Sequence, residues 1–323
     1  MKDLEKLELI KNNTAEIVTE DELIEVIKVK KKPVVYCGYE PTGPIHLGHF
    51  VTIIKLMDFA KAGFEVKILL ADVHALLNRK GDKEKVAADV AAWEKTIKAI
   101  GLDAEVVLGS DFQFDEEYMS DVMRLAQEVT INRGLRSMQE VARDIENATV
   151  SQLWYPLMQI EDIKALECDV AYGGLEQRKI HMLARELLPI INHKAVIVHT
   201  PLITSLKGPG QKMSKSIPGS GVSITDSDAE ISKAVMSAFC PEKIVEDNPL
   251  LQISKLIIFP LNKKLKIERS MQFGGAISFD SYEELEKVYK EGKLHPADLK
   301  STVSKELIKI ITPIRKNFQT QKK

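Results

Sequence analysis

The sequence predicts an α/β protein: a doubly wound, Rossmann-like parallel sheet with a helical insertion, followed by a mostly helical C-terminal domain. Three observations support this fold class. Short apolar runs alternate with helix-patterned stretches up to residue 110 and again over 166–200, which is typical of parallel βαβ units. Residues 115–167 between them show helical patterning with no clear strand, and after Ser223 the pattern stays mostly helical to the end.

The first half of the sheet is predicted from its order of elements. The stretch TEDELIEVIKVK (19–30) begins with a capping threonine and acidic residues, which predicts a helix. Apolar runs rich in β-branched residues predict strands at 32–39, 64–75 and 104–110. Helical spacing of apolar residues predicts helices at 46–63 and 83–101, and a glycine ends each of them.

The second half continues the same order. LECDVAYGG (166–174) and HKAVIVHT (193–200) predict strands, and EQRKIHMLARELLP (176–189) predicts the helix that crosses between them. We expect a domain boundary near residue 230. A first domain would cover residues 1–230, with the insertion at about 112–166, and a helical domain would cover 231–323.

Composition narrows the class of protein. The 323 residues are 44% hydrophobic and 28% charged, with a net charge of −2, and no run of 18 apolar residues predicts a membrane span. The N-terminal stretch lacks the pattern of a signal peptide, so we expect an intracellular, cytoplasmic protein. The three cysteines fit neither a disulfide framework nor a zinc site. From Pro241 onward 16 Lys and Arg face 11 Asp and Glu, which is compatible with nucleic acid contacting that part.

The stretch PTGPIHLGH (41–49) predicts an anion site at a strand-to-helix turn. His46 and His49, three residues apart, share one face of the helix start, where unpaired N–H groups and the helix dipole favour a phosphate. Gly48 leaves room for a flat ring or a ribose against the backbone. The stretch is neither a GxGxxG loop nor a Walker loop, and no third ligand indicates a metal.

A second motif, GPGQKMSKS (208–216), is a glycine-bearing loop with two lysines. A flexible backbone carrying Lys212 and Lys215 suits a triphosphate that gains negative charge in a transition state. On its own, such a loop is more often a solvated surface. Together, HLGH and KMSKS form the signature of class I aminoacyl-tRNA synthetases.

The chain resembles the archaeal-type tyrosyl-tRNA synthetases over essentially its whole length. The resembling stretches are YCGYEPTGPIHLGH, LLADVHALLN, YPLMQIEDI, GGLEQRKIHMLARELLP, KMSKS, FGG and LHPADLK. The resemblance implies a ligase that joins tyrosine to ATP, forming tyrosyl-adenylate and pyrophosphate, and then transfers tyrosine to the 3′ end of its tRNA. Residues 1–230 would be the catalytic domain and 231–323 the anticodon-binding domain.

The resemblance also implies the substrate sites. ATP, carrying Mg²⁺, would meet both histidines of the HLGH turn and the KMSKS loop, and no residue is expected to bind a metal by itself. Tyr36 and Asp162 would receive the phenol hydroxyl of tyrosine, and three further residues would grip its ammonium and ring. His74 either lines this pocket or is an ordinary core histidine. The ATP residues are Gly38, His46, Gly48, His49, Lys212, Ser214 and Lys215, and the three gripping residues are Tyr155, Gln159 and Gln177.

For tRNA, the resemblance implies two contact regions and a homodimer. Phe273, His295 and Asp298 match the positions that meet the first anticodon base, where an aromatic ring and a carboxylate suit a splayed base. The acceptor-end candidates are Arg133, Arg136 and Arg178. The helical insertion would form the dimer interface.

Three alternatives differ in specific residues. A tryptophanyl-tRNA synthetase shares the fold and both motifs but has no use for a carboxylate–phenol pair such as Asp162 with Tyr36. A small-molecule nucleotidyltransferase also uses an HxGH turn but lacks the FGG and HPADLK stretches. A non-catalytic RNA-binding descendant need not keep His46, His49, Lys212 and Lys215.

Overall fold

The computed structural model describes residues 1–142, 144–210, 213, 217 and 219–321. The chain forms two compact units. The sheet unit comprises Met1–Thr42, Lys55–Glu94 and Leu102–Pro201. The C-terminal unit comprises Gly43–Ile54, Lys95–Gly101 and Leu202–Lys323.

The sheet unit contains a six-stranded sheet. In chain order its strands are β1 (Glu16–Val18), β2 (Val34–Tyr39), β3 (Glu65–Leu70), β4 (Glu105–Leu108), β5 (Val170–Gly174) and β6 (Val196–Thr200). Their spatial order is β1-β6-β5-β2-β3-β4, and all neighbours are parallel except β1, which runs antiparallel to β6. Every residue of β5 and β6 is buried, as expected for strands covered on both faces. The predicted doubly wound fold class is confirmed.

Helices precede, connect and follow these strands along the chain, and helices also make up the described part of the insertion. They are α1 (Asp3–Lys11), α2 (Glu20–Val29), α3 (Leu47–Lys61), α4 (Asp72–Leu77), α5 (Lys83–Ile100), α6 (Glu116–Glu128), α7 (Ile131–Ser137), α8 (Val150–Ala165) and α9 (Arg178–Leu187). Helices α3 and α5 each contribute residues to both units. The described part of the insertion contains helices α6, α7 and α8 and no strand, as predicted. Among the described residues, no helix is long and apolar enough to cross a membrane.

The C-terminal unit is mostly helical. Its own helices are α10 (Asp228–Met236), α11 (Pro249–Ile253), α12 (Phe259–Asn262), α13 (Tyr282–Lys290) and α14 (Pro296–Thr320), and a π-helical turn over Ser254–Ile258 joins α11 to α12. Ser227 and Ser281 cap α10 and α13 by accepting from the backbone N–H three residues on. An antiparallel hairpin, β7 (Leu265–Ile267) with β8 (Ile277–Phe279), interrupts the helices.

The predictions were wrong at the end of one strand, and they missed three short strands that the structure contains. The strand expected over 64–75 ends at Leu70, and helix α4 begins at Asp72, because the apolar run continues from strand into helix without a break. Strands β1, β7 and β8 were not predicted. Each has three residues, too few for an alternation of apolar and polar side chains to be recognised.

Candidate active site

In the sheet unit, a polar cluster forms around Asp162 of α8. The Asp162 side chain is 1% exposed, and its Oδ1 atom accepts hydrogen bonds from Gln113 Nε2 at 2.7 Å and the Tyr118 hydroxyl at 2.8 Å. Its Oδ2 atom has no hydrogen-bond partner in the described part of the chain, and His74 Nε2 lies 3.5 Å away. A buried oxygen without a donor is costly, so Oδ2 is a natural acceptor for a ligand hydroxyl.

Burial sets the protonation of this cluster. Desolvation raises the pKa of Asp162 to about 7, although the donors Gln113 and Tyr118 act in the opposite direction. Desolvation also lowers the pKa of His74 to about 4, so this imidazole is neutral at pH 7. The pKa of the buried Tyr36 phenol is raised well above its ordinary value, mainly by burial. Tyr36 therefore stays a neutral hydroxyl that can donate and accept.

One face of α8 carries two more of the predicted pocket residues, Tyr155 and Gln159. Gln159 Nε2 donates to Gln177 Oε1 at 3.1 Å, while Gln159 Oε1 has no partner among the residues that the structure describes. The Tyr155 ring meets His74 edge-on, with centroids 4.5 Å apart, and its hydroxyl bonds to Glu40, which together with burial raises the pKa of Tyr155. The structure therefore brings Gln159 and Gln177 into contact, and it places Tyr155 against His74, which lies 3.5 Å from Asp162.

The parallel sheet explains this convergence. His74, Gln113 and Gln177 follow the carboxyl ends of β3, β4 and β5, which lie along one edge of the sheet. Open α/β sheets bind ligands at this edge. Gly38, near the end of β2, is exposed, and a Cβ there would lie 3.5 Å from the Tyr36 ring.

The C-terminal unit holds the HLGH turn at the start of α3. The rings of His46 and His49 stack, with centroids 3.8 Å apart and planes 23° from parallel. Gly48 N–H donates to His46 Nδ1 at 3.1 Å, and a Cβ on Gly48 would lie 2.9 Å from the His46 ring. Only glycine therefore leaves this ring arrangement undisturbed.

The same turn is anchored to the segment just after the KMSKS motif. Leu47 N–H donates to the Val222 carbonyl at 2.9 Å, and Ile224 N–H and Ser223 Oγ both donate to the Ile45 carbonyl. Of the motif itself, Met213 is described and buried, whereas Lys212, Ser214 and Lys215 lie outside the described residues. The HLGH turn and the segment that follows KMSKS are thus held together within one unit.

Of the predicted anticodon residues, Phe273 and His295 lie in two loops of the C-terminal unit, and Asp298 follows in α14. Phe273 ends a 3₁₀ turn and is 63% exposed, and His295 caps α14 by accepting from Ala297 N–H at 3.1 Å. Asp298 lies in the first turn of α14. Arg269 joins the loops, because Nε donates to the Gly275 carbonyl and Nη1 to the Lys293 carbonyl, each at 3.0 Å.

The three predicted acceptor-end arginines all have contacts within the sheet unit. Arg133 pairs with Glu186 at 2.6 Å, and Arg136 Nε donates to the Asn132 carbonyl. Arg178 makes a two-point ion pair with Glu16, at 2.8 and 2.9 Å. Arg133 and Arg136 belong to α7 and Arg178 to α9. Their side chains lie at the surface and not in the Asp162 cluster.

Comparison with known proteins decides the family. The family model described as tRNA synthetases class I (W and Y) matches residues 28–312. The chain belongs to this family. It is therefore an aminoacyl-tRNA synthetase, an enzyme class that uses ATP as a substrate.

The synthetase has similar relatives over nearly its full length. Tyrosine–tRNA ligase of Methanocaldococcus jannaschii is 48% identical over 315 residues, which cover 98% of this chain and 100% of the relative. The solved structure of tyrosyl-tRNA synthetase complexed with L-tyrosine from Archaeoglobus fulgidus is 47% identical, with a TM-score of 0.95, and covers 98% of this chain and 100% of that one. The corresponding complex from Pyrococcus horikoshii is 33% identical, with a TM-score of 0.90 and coverage of 99% and 97%.

A tryptophanyl-tRNA synthetase from Giardia lamblia shares the fold, with a TM-score of 0.72 at 19% identity. Because this identity is low, the likeness extends to the fold alone. The resemblance to archaeal-type tyrosyl-tRNA synthetases noted from the motifs is confirmed by the relatives above.

Sequence reasoning missed several residues that hold the synthetase's candidate sites in place. Gln113 and Tyr118 bind Asp162, Ser223 anchors the HLGH turn, and Arg269 joins the two anticodon-region loops. The position of Gln113 just after a predicted strand end could have indicated it. Nothing local in the sequence indicates Tyr118, Ser223 or Arg269, since each acts on a residue from a distant segment.

Proposed function

We propose that this synthetase is a tyrosine–tRNA ligase, which activates L-tyrosine with ATP and transfers it to the 3′ end of tRNA(Tyr). The observation that carries the proposal is the buried Asp162 Oδ2 atom, which lacks a donor in the described structure although two donors hold the other carboxylate oxygen. A phenol hydroxyl entering beside Tyr36 supplies that donor. The curated relatives and solved structures support the same substrate.

The pocket chemistry selects tyrosine over phenylalanine. The substrate hydroxyl donates to Asp162 Oδ2 and accepts from Tyr36. Phenylalanine would leave Asp162 Oδ2 buried and unpaired. Sites of this type, of which tyrosyl-tRNA synthetases are the known example, reject phenylalanine by about 10⁴ to 10⁵. The tyrosine hydroxyl therefore supplies the hydrogen bond that Asp162 Oδ2 does not receive from the described residues.

The ammonium end meets the glutamines. Gln159 Oε1, which has no described partner, accepts from the α-ammonium group, and Gln177 and Tyr155 complete the grip. His74, neutral because burial lowers its pKa to about 4, forms the pocket wall against Tyr155.

Activation requires positioning more than acid–base chemistry. The tyrosine carboxylate is already a nucleophile; it attacks the α-phosphorus of ATP while the bond to the leaving pyrophosphate breaks. In this proposal His46 and His49 contact the phosphates, Gly48 and Gly38 admit the nucleotide, and Lys212, Ser214 and Lys215 hold the pyrophosphate side. Mg²⁺ arrives bound to ATP, and the described residues contain no group of three or more His, Cys, Asp and Glu side chains that could hold a metal.

The remaining parts of the proposal concern tRNA and assembly. Phe273, His295 and Asp298 read the first anticodon base, and Arg269 fixes the spacing of their loops. The acceptor end lies along the arginines at 133, 136 and 178. By role, residues 1–230 form the catalytic domain and 231–323 the anticodon-binding domain, and the enzyme acts in the cytoplasm as a homodimer through the insertion at about 112–166.

Charging of tRNA tests the proposal. The purified protein is incubated with ATP, total archaeal tRNA and radiolabelled tyrosine or tryptophan, and acid-precipitable label is counted. We expect tyrosine to be esterified and tryptophan to remain free. Charging with tryptophan in place of tyrosine would retain the family and overturn the proposed substrate.

A further inference from the structure

A line of buried polar side chains runs from the pocket to the surface of the sheet unit, and none of its histidines has a role in the proposed reaction. Gln159 Nε2 lies 3.5 Å from His181 Nε2. His181 Nδ1 lies 3.0 Å from His199 Nε2, and His199 Nδ1 lies 3.2 Å from Glu16 Oε2. Both histidines are 1% exposed or less.

The anion at the outer end fixes which atoms donate along this line. Glu16 is held by Arg178, which lowers the pKa of the carboxyl group, so Glu16 is an acceptor only. His199 Nδ1 must then carry the proton, which leaves His199 Nε2 to accept from His181 Nδ1. His181 Nε2 in turn becomes an acceptor facing Gln159.

The protonation of the two imidazoles agrees with this assignment of donor and acceptor nitrogens. Burial lowers the pKa of His181 to about 3, and it also lowers the pKa of His199. Each ring is therefore neutral at pH 7 and carries one proton, so each has one donor and one acceptor nitrogen. When the group at one end of such a chain can only accept, every hydrogen bond along the chain must be donated in the same direction.

At the pocket, the chain of hydrogen bonds ends at the Gln159 amide, in which Nε2 donates and Oε1 accepts. Gln159 Nε2 has two hydrogens, and His181 Nε2 and Gln177 Oε1 beside it are both acceptors. The Tyr36 hydroxyl, which can accept or donate, is a further hydrogen-bond partner of the Gln159 side chain. Rotating the amide by half a turn would place Oε1 against these two acceptors. The Oε1 atom is therefore kept away from them, and it is the atom with no hydrogen-bond partner in the described part of the chain.

We propose that Glu16, His199 and His181 form a directional hydrogen-bond chain that orients the Gln159 amide so that Oε1 accepts the α-ammonium group of the amino-acid substrate. The three residues are positioning residues, since none of them touches the substrate. This inference rests on the proposed function, because it assumes that Gln159 faces the ammonium group of tyrosine.

Glycine at position 173 supports the arrangement. In the register of β5 and β6, Gly173 lies opposite His199. A Cβ at this position would lie 3.3 Å from His181 Cε1 and 3.0 Å from Gln177 Cγ. Because Gly173 has no side chain, His181 and Gln177 can both lie close to β5 at this position. These two hydrogen-bond partners of Gln159 are therefore next to each other.

The test uses ATP–pyrophosphate exchange with variants of His181. His181→Phe keeps a ring but removes the acceptor, and we expect the KM for tyrosine to rise about 10-fold. His181→Gln offers an acceptor at a similar place and should recover most of the affinity. The KM for ATP should stay within about twofold in both variants, because ATP makes no contact with Gln159.

An analogue without the ammonium group separates orientation from general disruption. Binding of 3-(4-hydroxyphenyl)propionate, measured as its inhibition constant against tyrosine, should be the same in wild type and His181→Phe. An equal loss for tyrosine and for the analogue would show a damaged pocket and would overturn the chain. An unchanged KM for tyrosine in His181→Phe would overturn it as well.

A surface variant keeps the test decisive if His181→Phe does not fold. Glu16→Gln supplies a possible donor to His199, so the direction of the chain is no longer fixed, and we expect the KM for tyrosine to rise about fivefold. Glu22→Gln is the control, because Glu22 also makes a two-point pair with an arginine, Arg185, at 2.7 and 2.8 Å, and no histidine is attached to it. Equal behaviour of the two variants would contradict the proposal. Failure of wild type to exchange with tyrosine would instead reject the proposed function.

Discussion

The Tyr118 hydroxyl of α6 donates a 2.8 Å hydrogen bond to Asp162 Oδ1 on α8. Together with Gln113 it occupies one oxygen of the carboxylate and leaves the other without a described partner. An acidic group that is 1% exposed is thereby oriented with one open acceptor. This asymmetry supports the view that the carboxylate binds a hydroxyl on the substrate.

Replacing Asp162 should remove tyrosine recognition and spare ATP. Because a hydrogen bond to a charged group is worth about 1.5–3 kcal/mol, we expect Asp162→Ala to lower kcat/KM for tyrosine about 10- to 150-fold. Pyrophosphate exchange gives this value, and equilibrium binding of ATP should be unchanged. Asp121→Asn is the control, since Asp121 is a buried acid that pairs with Lys164 and Arg124 instead. Wild-type tyrosine kinetics in Asp162→Ala would show that the pocket is assigned wrongly.

Each of the two donors to Asp162 should contribute to tyrosine binding. Gln113→Leu removes the 2.7 Å donor, and Tyr118→Phe removes the 2.8 Å donor while keeping the ring. We expect each change to raise the KM for tyrosine about 10-fold, because the carboxylate loses orientation and its charged form loses a hydrogen bond. Steady-state exchange at varied tyrosine measures this effect. If both variants retained the wild-type KM, the carboxylate would not depend on its described partners.

Position 48 should accept only glycine. A Cβ at Gly48 would lie 2.9 Å from His46, so Gly48→Ala must push the His46 ring off its stack with His49. We expect the KM for ATP to rise about 10-fold or more while tyrosine binding is kept. Gly81→Ala is the matched control, because a Cβ there meets only the flexible Lys85 side chain. An unaffected KM for ATP in Gly48→Ala would separate this turn from nucleotide binding.

Changes in the anticodon-region loops should affect tRNA charging alone. Arg269→Ala cuts both hydrogen bonds that join the loops of Phe273 and His295, and Asp298→Ala removes the predicted base acceptor. We expect both variants to lower aminoacylation about 10-fold or more and to leave pyrophosphate exchange within about twofold. Comparing the two assays on one preparation checks this. A parallel loss in both assays would make these residues structural.

The free energy of unfolding should depend on pH because the pKa of the buried Asp162 is raised. Since burial raises the pKa of Asp162 from 3.8 to about 7, the folded chain keeps a proton there that the unfolded chain has lost. Relative to Asp162→Asn, the wild-type free energy of unfolding should fall by about 1.4 kcal/mol per pH unit from about pH 4 to about pH 7 and then level off. Urea unfolding of both proteins at several pH values measures the difference. A difference that does not vary with pH would mean that the carboxyl group ionises as it does in water.

The parts of the fold and site that the sequence predicts are those with local patterns. The alternation around the HLGH turn gave the strands and helices of the sheet, because each spans enough residues to show its period. Tyr155, Gln159 and Asp162 lie four and three residues apart, so their shared helical face follows from spacing alone.

What the sequence left out depends on contacts between distant segments. Gln113 and Tyr118 reach Asp162 across more than 40 residues of chain, and Glu16 meets His199 only because β1 pairs with β6. Strand β1 itself is too short to show a pattern. Such residues become visible only when the topology has placed the strand ends side by side.

The most direct test of the central claim is amino-acid-dependent ATP–pyrophosphate exchange without tRNA, run in parallel with tyrosine, tryptophan and phenylalanine. We predict exchange with tyrosine alone, because only its phenol hydroxyl satisfies Asp162 Oδ2 and Tyr36. Exchange with tryptophan or phenylalanine at a comparable rate would contradict the claim that this carboxylate selects the substrate.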